Sequence, residues 1–143
     1  MSTSFRQDLR TGCASVLTTY QAAHPTLLYH VYDYPPESYN TPCAYVEKAV
    51  SESLQHTSGV RRRVLRVNVV IVNKLVSNDQ ATSEQDVLID GLLDAFTAAP
   101  HAASAQTLLE PVSVTDTELS DANGTRYAAA VIAIEGTIQE GRN

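Results

Sequence analysis

Near the start of the chain apolar residues recur at three- and four-residue steps: Phe5, Leu9, Cys13, Val16, Leu17 and Tyr20. That spacing lays one apolar stripe along a helix. Ser2-Thr3-Ser4 supplies hydroxyls able to accept from the free N–H groups of a first turn, and Pro25 cannot continue a helix. The pattern predicts a helix over residues 4–24, with Gly12 as its weak point.

Beyond it the period shortens. Residues 27–34, with Leu27, Leu28, Tyr29, Val31 and Tyr32, are aromatic and β-prone, which predicts a strand. Pro35, Pro36 and Pro42 make 35–42 a loop, because each removes a donor and fixes φ. Residues 43–50 resume as strand, and 51–59 read as a polar turn.

Residues 60–74 carry the strongest strand signal. Leu65, Val67, Val69 and Ile71 point one way; Val64, Arg66, Asn68, Val70 and Val72 point the other. The second half is apolar on both faces, so it is expected at the centre of a sheet or under a partner chain. The arginine-rich first half is expected to be exposed.

Residues 76–82 form a polar connection. Ser83-Glu84-Gln85-Asp86 then resembles a capping box with an acidic first turn. It predicts a second helix over 83–99, with Val87, Leu88, Gly91, Leu92, Ala95, Phe96 and Ala99 as its stripe and Pro100 at its end. Residues 101–110 read as loop or short turn, and 112–115 as strand. Asp121-Ala122-Asn123-Gly124 is a hairpin signal. The last strand spans 127–138, with Ala128, Ala130, Ile132, Ile134 and Ile138 on one face and Tyr127, Ala129, Val131, Ala133, Glu135 and Thr137 on the other.

Strands joined by short turns pair antiparallel, and helices that come singly pack on one face of their sheet. The expectation is one α+β domain over 1–143, with a mainly antiparallel sheet of four to five strands and two helices on one face.

Composition narrows the chemistry. A net charge of −6 and a pI near 5.0 argue against non-specific binding to DNA or to an anionic membrane. No stretch is long and apolar enough for a membrane span, so an aqueous compartment is expected. The cysteines Cys13 and Cys43 read as buried free thiols, a disulfide being possible on parity alone. The glycines are scattered, without a phosphate-cradling pattern. His24, His30, His56 and His101 stand apart from other metal ligands in sequence, and no nucleophile motif occurs. No cofactor, metal or catalytic residue is expected.

Three clusters stand out. Arg61, Arg62, Arg63 and Arg66 either blunt a strand edge or meet an acidic neighbour. Tyr29, Tyr32, Tyr34, Tyr39 and Tyr45 either cover one edge of the core or anchor an interface. Asp86, Asp90 and Asp94 share one helix face, read as solvated or as a subunit contact.

The order of elements has a likeness. A "TPCAYVEKA" strand after a proline-rich loop, a long "RRRVLRVNVVIVNK" strand, a helix "SEQDVLIDGLLDAF" and a closing "RYAAAVIAIEGTI" strand resemble the tail terminator proteins of long-tailed, non-contractile phages. The resemblance covers 4–138 and is one of pattern, without a diagnostic motif. It implies an α+β subunit of the virion, assembled in the host cytoplasm. Such subunits form a hexameric ring on the head-proximal end of the tail tube, stop tube growth and offer a surface to the head connector. The implied partners are further copies of the chain, the tail tube protein and a head-completion or connector protein; DNA only passes through the lumen, and no membrane is involved.

On that reading Arg61, Arg62, Arg63, Arg66, Asn68, Val70, Val72, Tyr127 and Val131 are expected at a subunit or partner interface. Asn73, Lys74, Ser77, Asn78 and Asp79 are expected in a loop facing the tube or the lumen. The physical premise is surplus apolar sheet surface, with Val67, Val69, Val70, Val72 and Val131 as its test positions. The competing readings are a neck or head–tail connector subunit, a small-molecule-binding oligomer with a pocket at Tyr29, His30 and Tyr32, and a nucleic-acid module using Arg61 to Arg66.

Overall fold

The computed structural model describes residues 4–32, 35–47, 51–57, 59–74 and 79–141. Helix α1 spans Phe5–Ala23, and the Ser4 hydroxyl caps it by accepting from the Gln7 N–H at 3.0 Å. Its whole predicted stripe is buried. Short strands β1 (His30–Tyr32) and β2 (Cys43–Val46) follow, then β3 (Ser51–Thr57) and β4 (Val60–Lys74). Helix α2 is Asp79–Ala98, and β5 (Thr107–Ser120) and β6 (Arg126–Gly141) close the chain.

All six strands join one sheet in the order β1-β2-β4-β6-β5, with β3 also on β4. Only β1 and β2 run parallel; the other pairings are antiparallel. The fold is thus α+β with a mostly antiparallel sheet, as the sequence predicts, though with more strands.

The extra strand is β3, read from sequence as a polar turn. Ser51–Thr57 has little apolar content of its own, but the first half of β4 offers it a ladder from Ser51–Arg66 to Thr57–Val60. Sheet context outweighs intrinsic preference here. Strand β1 is shorter than expected, since Leu27 and Leu28 lie in the turn that ends α1, where the Leu28 N–H donates to the His24 carbonyl. Helix α2 starts at Asp79, so Ser83 lies inside it rather than at its cap; no proline or glycine in 79–83 prevents the extra turn. Strand β5 begins at Thr107, within the stretch read as loop.

The main core lies between the helices and one sheet face. Leu9, Cys13 and Leu17 of α1 and Leu88, Leu92 and Phe96 of α2 meet Leu65, Val67, Val69 and Ile71 of β4 and Ala130, Ile132 and Ile134 of β6. Each large side chain buried there contributes roughly 1.5–3 kcal/mol. The alternation read along β4 and β6 decides which residues these are, and both helices cover this one face.

Candidate interaction face

Among the described residues the opposite face of the sheet carries no helix, and its two ends differ. At one end Cys43, Tyr45, Val70, Val72 and Ala129 form a second buried cluster, with Tyr32, Tyr39, Leu119, Tyr127 and Val131 packed against it. The Tyr39 ring lies parallel to that of Tyr45 at 6.3 Å and edge-on to that of Tyr127 at 5.0 Å. Burial pushes the Tyr45 hydroxyl well above its usual range, and its contact with Tyr39 adds to the shift. Of the two readings of the tyrosine cluster, core cover describes Tyr32, Tyr39 and Tyr45, whereas Tyr29 is largely exposed beside His30 and Tyr34 lies outside the described residues.

This end and the helix-side core together correct the premise of surplus apolar surface. Val67, Val69, Val70 and Val72 are sealed within the single protomer, and only Val131 stays half-buried. Val70 and Val72 are therefore core residues, out of a partner's reach. The aromatic lid of the 35–42 loop covers them, a tertiary contact the strand pattern does not carry.

The other end is open. Arg66 and Asn68 of β4, Val131 and Ala133 of β6, and Ser113, Thr115 and Thr117 of β5 line a depression of about 450 Å³. Register puts them together: Asn68 opposes Ala133, which opposes Ser113, while Thr115 opposes Val131. A bulge between Pro111 and Ser113 turns the β5 threonines to this face. On the rim, Arg66 donates to Glu135 at 2.7 Å across the strand pair. The arrangement joins a small apolar floor to hydroxyls and a charged pair, a mixture suited to contact with a protein surface. Of the expected interface residues, Arg66, Asn68 and Val131 meet here. The sequence reading missed Ser113, Thr115 and Thr117; hydroxyl residues at every second position of 113–117 are the signal that marks them.

The remaining arginines separate. Arg62 is exposed and Arg61 half-buried. Arg63 turns to the helix face, over the Phe5 ring at 5.0 Å, and donates twice to Glu52 Oε1, at 3.0 and 2.5 Å. Arg6 of α1 donates to the other oxygen of Glu52 at 3.2 Å. The Arg63 bond, aided by Arg6, holds the Glu52 carboxyl below its usual range. Arg63 thus fastens the β3–β4 hairpin to α1 and is a structural residue, a role that sequence spacing cannot reveal. Tyr127 is likewise held inside the protomer, donating its hydroxyl to Asp121 Oδ2 at 3.0 Å.

Asn73 and Lys74 end β4 beside Glu84, around a smaller cavity of about 240 Å³. The Asn73 side-chain nitrogen is buried without a partner among the described residues. Asp79 opens α2 instead of lying in a loop, and Ser77 and Asn78 lie outside the described residues. Cys13 packs in the helix-side core and Cys43 in the tyrosine-covered cluster, so the sheet stands between them and both are free. Burial pushes each thiol up to about 12. Among the described residues no three of His, Cys, Asp and Glu converge as metal ligands, and no helix is long and apolar enough to cross a membrane.

The fold and the face define an α+β protein with one helix-covered and one open sheet surface. No protein-family model matches the chain, and no curated protein matches it either.

Proposed function

We propose that the chain is a non-enzymatic structural subunit of the tail-terminator kind, which assembles as a ring, hexameric by the family resemblance, on the end of a phage tail tube. There it stops tube growth and presents a docking surface to the head connector. The observation that carries this reading is the open half of the sheet, where Arg66, Asn68 and Val131 share one depression with Ser113, Thr115 and Thr117. An antiparallel sheet can leave one face to water, but a depression that groups a half-buried valine with hydroxyls and a charged pair has the mixed character of a protein contact surface.

Electron microscopy of the purified protein, alone and mixed with polymerised tube protein, tests the reading. Rings of uniform diameter that cap tube ends are expected. A chain that stays monomeric at high concentration and leaves tube ends bare would overturn it. Binding to a portal-side ring with tube ends left uncapped would move the subunit to the neck.

A further inference from the structure

We infer that the joint between neighbouring copies is a head-to-tail pairing of sheet edges, the outer edge of β3 in one copy against the outer edge of β5 in the next. This deepens the ring reading and rests on it. Among the described residues β3 pairs only with β4 and β5 only with β6, so each leaves an open edge at an opposite side of the sheet. Open edges are ready templates for a further strand.

Direction fits. Strand β5 is antiparallel to β6, β6 to β4 and β4 to β3. Strands β3 and β5 therefore run oppositely, and a copy moved sideways brings them together as an antiparallel pair. Both edges also expose apolar side chains: Leu54 on β3 is 52% exposed, and Val112 and Val114 on β5 are 42% and 39% exposed.

Charge selects this joint over a two-fold one. Strand β5 carries Glu110, Asp116 and Glu118 and no Lys or Arg; Glu118 is paired with Arg126 of β6, which leaves Glu110 and Asp116 as its surplus acid. Two β5 edges facing each other would set acid against acid. In the β3–β4 hairpin Arg63 is paired with Glu52, the acid of β3, and Arg66 with Glu135; Arg61 and Arg62 are the hairpin's further basic charge. Arg61 and Arg62 lie one strand in from the β3 edge; their approach to the acidic β5 edge is favourable, and the like-charge alternative is penalised. Unlike patches joined head to tail give a ring when the rotation between copies closes.

Mixing full-length variants tests the joint. One variant reverses the β5 charge, Asp116→Lys with Glu118→Lys; the other reverses the hairpin, Arg61→Glu with Arg62→Glu. Each alone sets like charges at every joint, and assembly measured by sedimentation should weaken by at least about tenfold. Mixed in equal amounts, every joint regains opposite charges, so assembly should return, with the two variants alternating. Recovery on mixing also shows that both chains are folded. Wild-type rings that either variant forms equally well, or two variants that melt cooperatively yet fail to recover when mixed, would overturn the joint and leave the ring reading standing. Should the reversals unfold the chain, Asp116→Asn and Arg62→Gln replace them, each then expected to weaken assembly severalfold and to make it less sensitive to salt. A wild-type chain that forms no ring overturns the joint together with the reading it rests on.

Discussion

Gly12 of α1 and Ala103, in the segment between α2 and β5, approach so closely that a Cβ on Gly12 would stand 2.7 Å from the Ala103 Cα. Backbone, not a flexible side-chain end, occupies the space. Gly12→Ala would gain about 1 kcal/mol in helix propensity but would force the segments apart, at a cost of roughly 1–3 kcal/mol. A net loss of about 1 kcal/mol is expected, read as a fall of a few degrees in melting temperature. A higher melting temperature would mean that α1 can move off Ala103 freely.

The β5–β6 hairpin should lose stability in acid through Asp121. Loss of solvent disfavours its charge, but the N–H of Thr125, the Tyr127 hydroxyl and the N–H groups of Asn123 and Gly124 outweigh that and lower its pKa. A lowered folded-state pKa gives stability that is present above the unfolded value and lost as pH falls through the folded one. The wild type should therefore lose more stability between neutral pH and about pH 3 than Asp121→Asn does. Chemical denaturation at both pH values measures it, and equal losses would remove Asp121 from the account.

Tyr39→Ala should uncover Val70 and Val72. The substitution deletes two ring contacts and opens space over the second cluster. A loss of roughly 2–4 kcal/mol is expected, with increased binding of a hydrophobic dye to the native state. A variant as stable as wild type, with no added dye binding, would show that the valines are sealed by other groups.

Arg66→Glu separates folding from docking. The Arg66–Glu135 pair is partly exposed, with side chains 45% and 27% accessible, so it contributes at most about 1 kcal/mol. The melting temperature should fall little, while ring formation or tube capping should weaken clearly. Adding Glu135→Arg should restore part of the loss. Unimpaired capping by Arg66→Glu would take the depression off the partner surface.

Much of this architecture was legible where one element's own period decides its fate. The stripe of α1, the bounds of β4 and the two faces of β6 follow from spacing alone. The hairpin at Asp121 follows from Gly124, whose φ of +83° suits the turn. Strand β3 was not legible, because Ser51–Thr57 is held by its partner and not by its own composition. The interface was half legible for a related reason. Alternation told which residues of β4 share the open face, but not that the Tyr39 loop closes one end of it. Val70 and Val72 thus share a face with Asn68 and Arg66 by alternation, and the packing of the Tyr39 loop on the valine end sets their burial apart. Arg63 escaped its cluster in the same way: its place beside Glu52 and Phe5 exists only once α1 is docked.

The pairing of β4 with β6 runs unbroken from Val60–Gly141 to Lys74–Tyr127. One end of that ladder lies in the arginine hairpin and the other under the tyrosine lid, with the core along its middle. A force that draws the two strands past each other along their length loads the rungs together instead of opening them one at a time. The molecule is thus built as a stiff beam, able to pass a pull or push from its exposed end into its packed centre without yielding in between.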